Sequence, residues 1–172
     1  GAVNYPGNTT PTAEWNFWVD PHAAADVFDM TPTPITLCSL GVTEKMLLEP
    51  ERVEGVVAKL GASPIAQHLG DIVRFYFEFH EDVGEGYRAQ IHDLLTVLIA
   101  LGAVDYEHCL TTIAVEADSD LTRGTSVADL RDIWEREPNA RLVTDADIEA
   151  AWESFEWACE IHARVAAGDA SL

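Results

Sequence analysis

The stretch "GNTTPTAEWNFWVDPHAAADVF", residues 7–28, places polar side chains among aromatic ones just before a helical pattern. Asn8, Glu14 and Asn16 stand within a few positions of three large aromatic rings. A carboxylate accepts hydrogen bonds and an amide both donates and accepts, so these side chains suit the hydroxyls of a sugar. The aromatic neighbours would exclude water and strengthen such bonds. Equally, the asparagines could serve turns and the glutamate could cap a helix, and the residues alone leave both interpretations open.

Outward from this stretch, helical and extended patterns alternate along the chain. Asp20 followed by Pro21 indicates a cap and a first helical turn. The apolar, β-branched run at residues 33–43 predicts a buried parallel strand. Further helices are predicted over 49–61, 63–81, 93–102 and 145–168, and further extended stretches over 109–118, 119–129 and 140–144. The alternation predicts an α/β fold: a layered, mainly parallel open sheet flanked by helices, with a C-terminal strand or hairpin region and a long helix.

The composition is that of a globular domain with a strongly acidic surface. In 172 residues, 30 acidic side chains face 10 basic ones, for a net charge of -20. Such a charge repels nucleic acid and anionic membranes, and no apolar run reaches membrane-spanning length, so neither is expected as a partner. Three cysteines, odd in number and without a C-x-x-C pair, favour a reducing, cytoplasmic compartment over a disulfide framework or a zinc knuckle.

A second polar pair lies in "GYRAQIHDLLTVLIALG", residues 86–102, where a loop becomes an apolar helix. Asp93 suits a helix N-terminus, where a cap contributes roughly 1 kcal/mol. That explanation does not cover His92, because a protonated histidine gains nothing at that end of a helix dipole. In open α/β sheets, ligands bind in the loops beyond the carboxyl ends of strands, which favours a functional pair at this junction. The chain contains no phosphate-binding glycine loop, zinc-protease, serine-hydrolase or EF-hand signature. The other five histidines are expected to be ordinary surface or packed side chains.

Taken together, the motifs resemble those of the nucleoside hydrolases, the inosine-uridine preferring nucleoside N-ribohydrolases. The matching motifs are, in order, GN-x-T-P-x-A-E-[FW]-N at 7–16, VDP-x-AA at 19–24, PIT…VT at 34–43, HD-x-L at 92–95 and TRG-x-[ST]-V-x-D at 122–129. Their order and spacing agree over nearly the whole chain. Leu94 stands where that family usually has proline, and this leaves the preceding histidine and aspartate in place.

The resemblance implies hydrolysis of the N-glycosidic bond of ribonucleosides to free base and ribose, a reaction of nucleoside salvage. It implies that Asn8, Glu14 and Asn16 bind the ribose hydroxyls. It further implies that His92 protonates the leaving base as a general acid and that Asp93 is a ligand of a bound Ca²⁺ ion. The implied partners are a small-molecule nucleoside and further copies of the protein, as a dimer or tetramer.

The resemblance also implies a segment that these residues do not contain. Nucleoside hydrolases carry a D-x-D-x-x-x-D-D cluster near the N-terminus that supplies most calcium ligands and the general base, and residues 1–172 hold no such spacing. One carboxylate cannot fill the roughly six to eight oxygen positions of calcium. Residues 1–172 are therefore expected to be the C-terminal part of a single nucleoside hydrolase domain, catalytically silent when isolated. The alternative is a non-catalytic nucleoside- or ribose-binding module of the same descent.

Overall fold

The computed structural model describes residues 1–169, which form helices and short strands in two compact units. The helices are α1 (Trp15–Val19), α2 (Pro21–Met30), α3 (Leu40–Thr43), α4 (Pro50–Leu60), α5 (Pro64–Asp82), α6 (His92–Ala100) and α7 (Ile148–Ala166). The strands are β1 (Ile35–Cys38), β2 (Leu47–Leu48), β3 (Ala89–Gln90), β4 (Tyr106–Thr111), β5 (Ile113–Val115), β6 (Ser126–Ala128) and β7 (Ala140–Ala146). The first unit comprises Gly1–Thr43 with Tyr106–Ala146, and the second comprises Glu44–Asp105 with residues 147–169. The α/β class predicted from the sequence is confirmed.

The first unit is built on a three-stranded sheet in the order β1-β7-β4. β7 pairs parallel with β1 and antiparallel with β4, while β5 and β6 form a separate antiparallel pair. Phe28 of α2, Ile113 of β5 and Leu142 of β7 belong to one buried cluster. Among the described strands only the β1–β7 pair is parallel, so the sheet is mixed rather than mainly parallel. An apolar pattern specifies which face of a strand is buried, and the direction of the strand is left to its pairing partner.

Residues 33–43, predicted as one buried strand, form two elements. β1 lies at an edge of the sheet that the described residues form, and Thr36 within it is exposed. The chain then turns into α3, where the Ser39 carbonyl accepts hydrogen bonds from the N–H groups of Val42 and Thr43. A short apolar run cannot be divided between strand and helix by periodicity alone, which explains the error.

The second unit packs α4, α5, α6 and α7 together with the antiparallel pair β2–β3. Leu60 of α4, Ala66 of α5 and Cys159 of α7 belong to one buried cluster. Arg52 and Lys59 of α4 both reach Glu156 of α7, at 3.1 and 3.3 Å. Apolar contact and ion pairing therefore hold the same pair of helices together.

Several helix ends carry capping residues. Asp20 caps α2, Ser63 caps α5 and Asp147 caps α7, each accepting a backbone N–H of the first turn. Gly61 ends α4 with a positive φ of 57°, a backbone conformation that favours glycine. Among residues 1–169, no helix combines the length and the apolar character needed to cross a bilayer.

Candidate functional site

The loop that carries Asn8 is a compact turn within the first unit. The N–H of Gly7 donates to the Pro11 carbonyl at 3.2 Å, and the N–H of Thr9 donates to the Ala13 carbonyl at 3.1 Å. A Cβ added to Gly7 would collide with the backbone of Ala13. The glycine of the first motif is thus required by close backbone approach.

Glu14 is buried, with 7% of its surface exposed, and caps α1. Its Oε1 accepts the N–H of Asn16 at 2.9 Å and its Oε2 accepts the N–H of Phe17 at 3.3 Å. The Gly1 nitrogen lies 3.2 Å from Oε2. The capping interpretation is therefore realised for Glu14. A carboxylate has about four lone-pair sites, so these contacts leave the side chain able to accept a further hydrogen bond.

The two asparagines lie beside this carboxylate along the chain and are exposed. Asn8 Oδ1 accepts the N–H of Trp15 at 3.1 Å and the hydroxyl of Thr9 at 3.2 Å, which is a turn-stabilising role. Within residues 1–169 no hydrogen bond engages its NH₂ group, which leaves that group as a donor. Asn16 lies in the first turn of α1, and no hydrogen bond joins its side chain to the part of the chain that the structure describes. The three predicted ribose ligands are therefore brought to one place, the start of α1.

Within the first unit, the aromatic residues shield the polar side chains at the start of α1 from water less than predicted. Trp15 is 56% exposed, and its ring lies 5.7 Å from that of Trp18 between centroids. Phe17 instead faces the core, 6.1 Å from the ring of Phe28. Successive side chains of a helix point in different directions, so a cluster of aromatics in sequence is divided between core and surface.

The last motif, residues 122–129, packs against the loop and α1. Ala13 forms an antiparallel bridge with Thr125, whose hydroxyl donates to that of Thr12 at 2.7 Å. Gly124 has a φ of 79°, and an added Cβ would lie 2.6 Å from Cα of Trp18. The last motif thus supports the first, and the close approach to Trp18 explains why a glycine stands between Arg123 and Thr125.

His92 and Asp93 belong to the second unit, whereas the three ribose candidates belong to the first. His92 is the first residue of α6 and is half-buried, and Asp93 follows it exposed in the first turn. Ile91 occupies the cap position and makes no side-chain capping bond, so the prediction that Asp93 caps the helix is wrong. The carboxylate still lies at the helix end that favours negative charge.

The second unit also contains a buried polar cluster that no sequence motif indicated. His80 is 6% exposed, and its Nδ1 lies 2.6 Å from Oε2 of Glu85. The Tyr76 ring lies 4.6 Å from the His80 ring, and its hydroxyl donates to the Gln90 carbonyl at 3.4 Å. Burial raises the pKa of Tyr76, and the carboxylates of Glu85 and Asp93 raise it further. Within residues 1–169, His80 Nε2 has no hydrogen-bond partner. The i, i+4 spacing of Tyr76 and His80 on α5 is the feature of the sequence that could have indicated this cluster.

The described residues do not form a calcium site on their own. Asp93 offers a single carboxylate, and residues 1–169 contain no group of three histidine, cysteine, aspartate or glutamate side chains arranged to hold a metal. Calcium takes roughly six to eight oxygen ligands, so this donor set does not fit the ion.

Comparisons of the sequence and of the structure with known proteins agree with each other. The chain is 34% identical over 142 residues to the pyrimidine-specific ribonucleoside hydrolase RihA of Shewanella baltica (strain OS155 / ATCC BAA-1091), covering 82% of this chain and 44% of that protein. It is 33% identical over 144 residues to RihA of Salmonella arizonae, covering 83% and 45%. The chain thus spans about half the length of the curated relatives it matches.

Solved structures agree on the fold. The purine-preferring ribonucleoside hydrolase from Gardnerella vaginalis superposes with a TM-score of 0.81 at 22% identity, over 96% of this chain and 51% of that one. The plant nucleoside hydrolase PpNRh1 superposes with a TM-score of 0.77 at 19% identity, over 93% and 51%. Residues 1–153 match the family described as inosine-uridine preferring nucleoside hydrolase. With most of its length matched in sequence and nearly all of it in fold, this chain belongs to the inosine-uridine preferring nucleoside hydrolase family.

Proposed function

We propose that this chain forms part of a nucleoside hydrolase that splits the N-glycosidic bond of a ribonucleoside into free base and ribose. Membership of the family over residues 1–153 supports the proposal. The matched relatives are named for different bases, as pyrimidine-specific and purine-preferring ribonucleoside hydrolases. What their names share is the ribonucleoside, and that is the substrate class proposed here.

The observation that carries the proposal is the polar group at the start of α1. Glu14 is buried and its carboxylate is fixed by two backbone N–H groups, while the Trp15 N–H fixes the Asn8 amide. Side chains fixed in this way lose little freedom when a ligand binds. In this proposal Asn8, Glu14 and Asn16 bind the ribose hydroxyls.

A water molecule adds to the anomeric carbon as the bond to the base breaks, through an oxocarbenium-like transition state in which positive charge develops on the ribose ring. The negative charge of Glu14 stabilises that state. In the second unit, His92 is proposed to protonate the departing base as a general acid. Asp93 is proposed as one carboxylate ligand of a Ca²⁺ ion, most of whose ligands would come from outside this chain.

The proposal extends to the organisation of the whole protein. Residues 1–172 are proposed to be the C-terminal part of a single nucleoside hydrolase domain in a cytoplasmic enzyme of nucleoside salvage, assembled as a dimer or tetramer. The net charge of -20 argues against nucleic acid and anionic membranes as partners. Cys38, Cys109 and Cys159 are free thiols, as a reducing compartment favours.

The test is ribose release from inosine and uridine by the full-length natural protein with calcium supplied. Asn16→Ala is expected to lower kcat/KM roughly tenfold or more, because a lost hydrogen bond of about 1.5 kcal/mol corresponds to a factor of ten. Gln67→Ala removes an exposed amide from the second unit and is the control, expected to match the wild type. The proposal fails if the wild-type protein releases no ribose, or if Asn16→Ala is as active as the control.

An assay of the isolated chain, residues 1–172, distinguishes a part of an enzyme from a non-catalytic binding module. As part of an enzyme, it releases no ribose when alone and the full-length protein does so. A non-catalytic binding module would bind a nucleoside in calorimetry while both forms remain without turnover.

A further inference from the structure

Residues 129–137 form a turn on the first unit that hydrogen bonds fix at both ends. The Asp129 carboxylate accepts the N–H of Trp134 at 2.6 Å, which closes the turn on itself. The Asp129 N–H donates to the Thr112 carbonyl at 2.9 Å, and the Thr112 hydroxyl donates to the Arg136 carbonyl at 3.4 Å. Both ends of the turn are therefore tied to one buried residue. A surface fixed in this way loses little freedom when a partner binds.

Large apolar side chains are exposed on and beside this turn. Residues 130–138 are exposed without a break, and among them Leu130 is 60% and Ile133 63% exposed. Leu110 of β4, also exposed, lines a cavity of about 650 Å³ together with Leu130. We call residues 129–137 with Leu110 the turn surface. Exposed apolar side chains that lie together within a polar rim mark a site of protein interaction.

The turn surface also carries charges of both signs. Five charged side chains without an ion pair inside residues 1–169 line the cavity, namely Arg131, Asp132, Glu135, Arg136 and Glu137. The guanidinium of Arg136 lies over the ring of Trp134, 5.3 Å from its centroid. Tryptophan and arginine are among the residues that most often carry the binding energy of protein interfaces.

These charges indicate a second copy of the chain as the partner. A protein with a net charge of -20 repels its own copies except where cations lie at the surface. At a two-fold interface the same surface meets itself, so the arginines of one copy can face the carboxylates of the other. The turn surface is self-complementary in this sense, because it presents both signs beside apolar side chains.

The other exposed apolar surface, on α5 in the second unit, lacks this property. Phe75 is exposed there, but the neighbouring Arg74 already pairs with Asp71 at 3.7 Å and with Glu78 at 3.8 Å. Two copies meeting through α5 would bring an excess of carboxylates together, and like charges across an interface disfavour association.

We propose that the turn surface is an interface between two copies of this protein related by a two-fold axis. The apolar side chains pack at its centre, and arginine–carboxylate pairs between the copies surround them. The inference rests on the assembly stated in the proposed function and names the surface that forms it. It concerns association alone, so its test does not depend on ribose release.

The first experiment measures the assembly of the full-length natural protein by analytical ultracentrifugation over a dilution series. The wild type is expected to be a dimer or a larger assembly. Ile133→Glu places a charge at the apolar centre and is expected to raise the dissociation constant about tenfold or more. Phe75→Glu is the matched control, because it adds the same charge at an exposed apolar position on α5 and is expected to assemble like the wild type.

Charge reversal tests the pairing between copies without assigning any one pair. One variant combines Arg131→Glu with Arg136→Glu, and the other combines Glu135→Arg with Glu137→Arg. Each alone is expected to associate about tenfold more weakly or worse, because like charges then face each other. An equal mixture of the two is expected to recover assembly, because every reversed contact becomes attractive again.

Four results overturn the inference. They are a monomeric wild type, no recovery of assembly in the mixture, dissociation by Phe75→Glu but not by Ile133→Glu, and a fall in the urea midpoint of Ile133→Glu as large as that of a core substitution. The last would show that the turn surface is covered within a single chain. Absence of ribose release by the wild type would instead defeat the proposed function, and sedimentation would still decide the interface.

Discussion

Glu14 combines a structural and a proposed binding role, and two substitutions separate them. Glu14→Ala removes acceptors 2.9 and 3.3 Å from two N–H groups of α1 and is expected to lower the free energy of unfolding by about 1–2 kcal/mol. Glu14→Gln retains one acceptor oxygen, so its cost in stability is expected to stay below about 1 kcal/mol. Both variants lose the charged acceptor proposed for a ribose hydroxyl, worth about 1.5–3 kcal/mol, or roughly 10–150-fold in affinity.

The assay pairs urea unfolding with nucleoside binding, measured by calorimetry on the full-length protein. Asp20→Ala is the control, because it removes another cap at a comparable cost of about 1 kcal/mol and is expected to leave nucleoside affinity unchanged. The decisive variant is Glu14→Gln, expected to be nearly as stable as the wild type and to bind at least tenfold more weakly. Wild-type affinity in Glu14→Gln would refute the reasoning and leave Glu14 as a cap alone.

Three further predictions test other parts of the molecule. Gly124→Ala is expected to lower the free energy of unfolding by roughly 2 kcal/mol or more, because its φ of 79° and the nearby Trp18 backbone both oppose a Cβ. Gly102→Ala, with a φ of 65° and open space around it, is expected to cost about 1 kcal/mol. Equal effects of the two substitutions in urea unfolding would contradict the packing argument. Asp93→Asn is expected to raise the calcium concentration needed for half-maximal ribose release by roughly 10–100-fold or more, since losing even a residue that only supports a metal ligand lowers metal affinity by that factor. An unchanged calcium requirement would remove Asp93 from the proposed ligands. Burial raises the pKa of Cys38 from 9.0 to about 11, so the stability that the neutral thiol contributes is present below pH 9 and is lost as the pH rises toward 11. The difference in urea midpoint between the wild type and Cys38→Ser should therefore shrink over that range. A constant difference would contradict this prediction.

Local sequence signals predicted the features whose physical causes lie within a few residues. Asp20 caps α2 as predicted, because its partner, the N–H of Ala23, is three positions away. The α/β class could be predicted from alternating helical and extended patterns, because the spacing of apolar residues indicates which face of an element is buried. The group of Asn8, Glu14 and Asn16 could be located for the same reason, as its members lie within one turn and the helix that follows it.

Other features required the folded chain, because their causes are distant in sequence. Thr12 and Thr125 are 113 residues apart, and their contact shows that the motif at residues 122–129 supports the first motif. Strand direction in the mixed sheet and the burial of His80 beside Glu85 likewise depend on which segments meet. The spacing of residues indicates which side chains can act together locally, whereas long-range packing sets which of them are buried, fixed by backbone contacts or left exposed to a ligand.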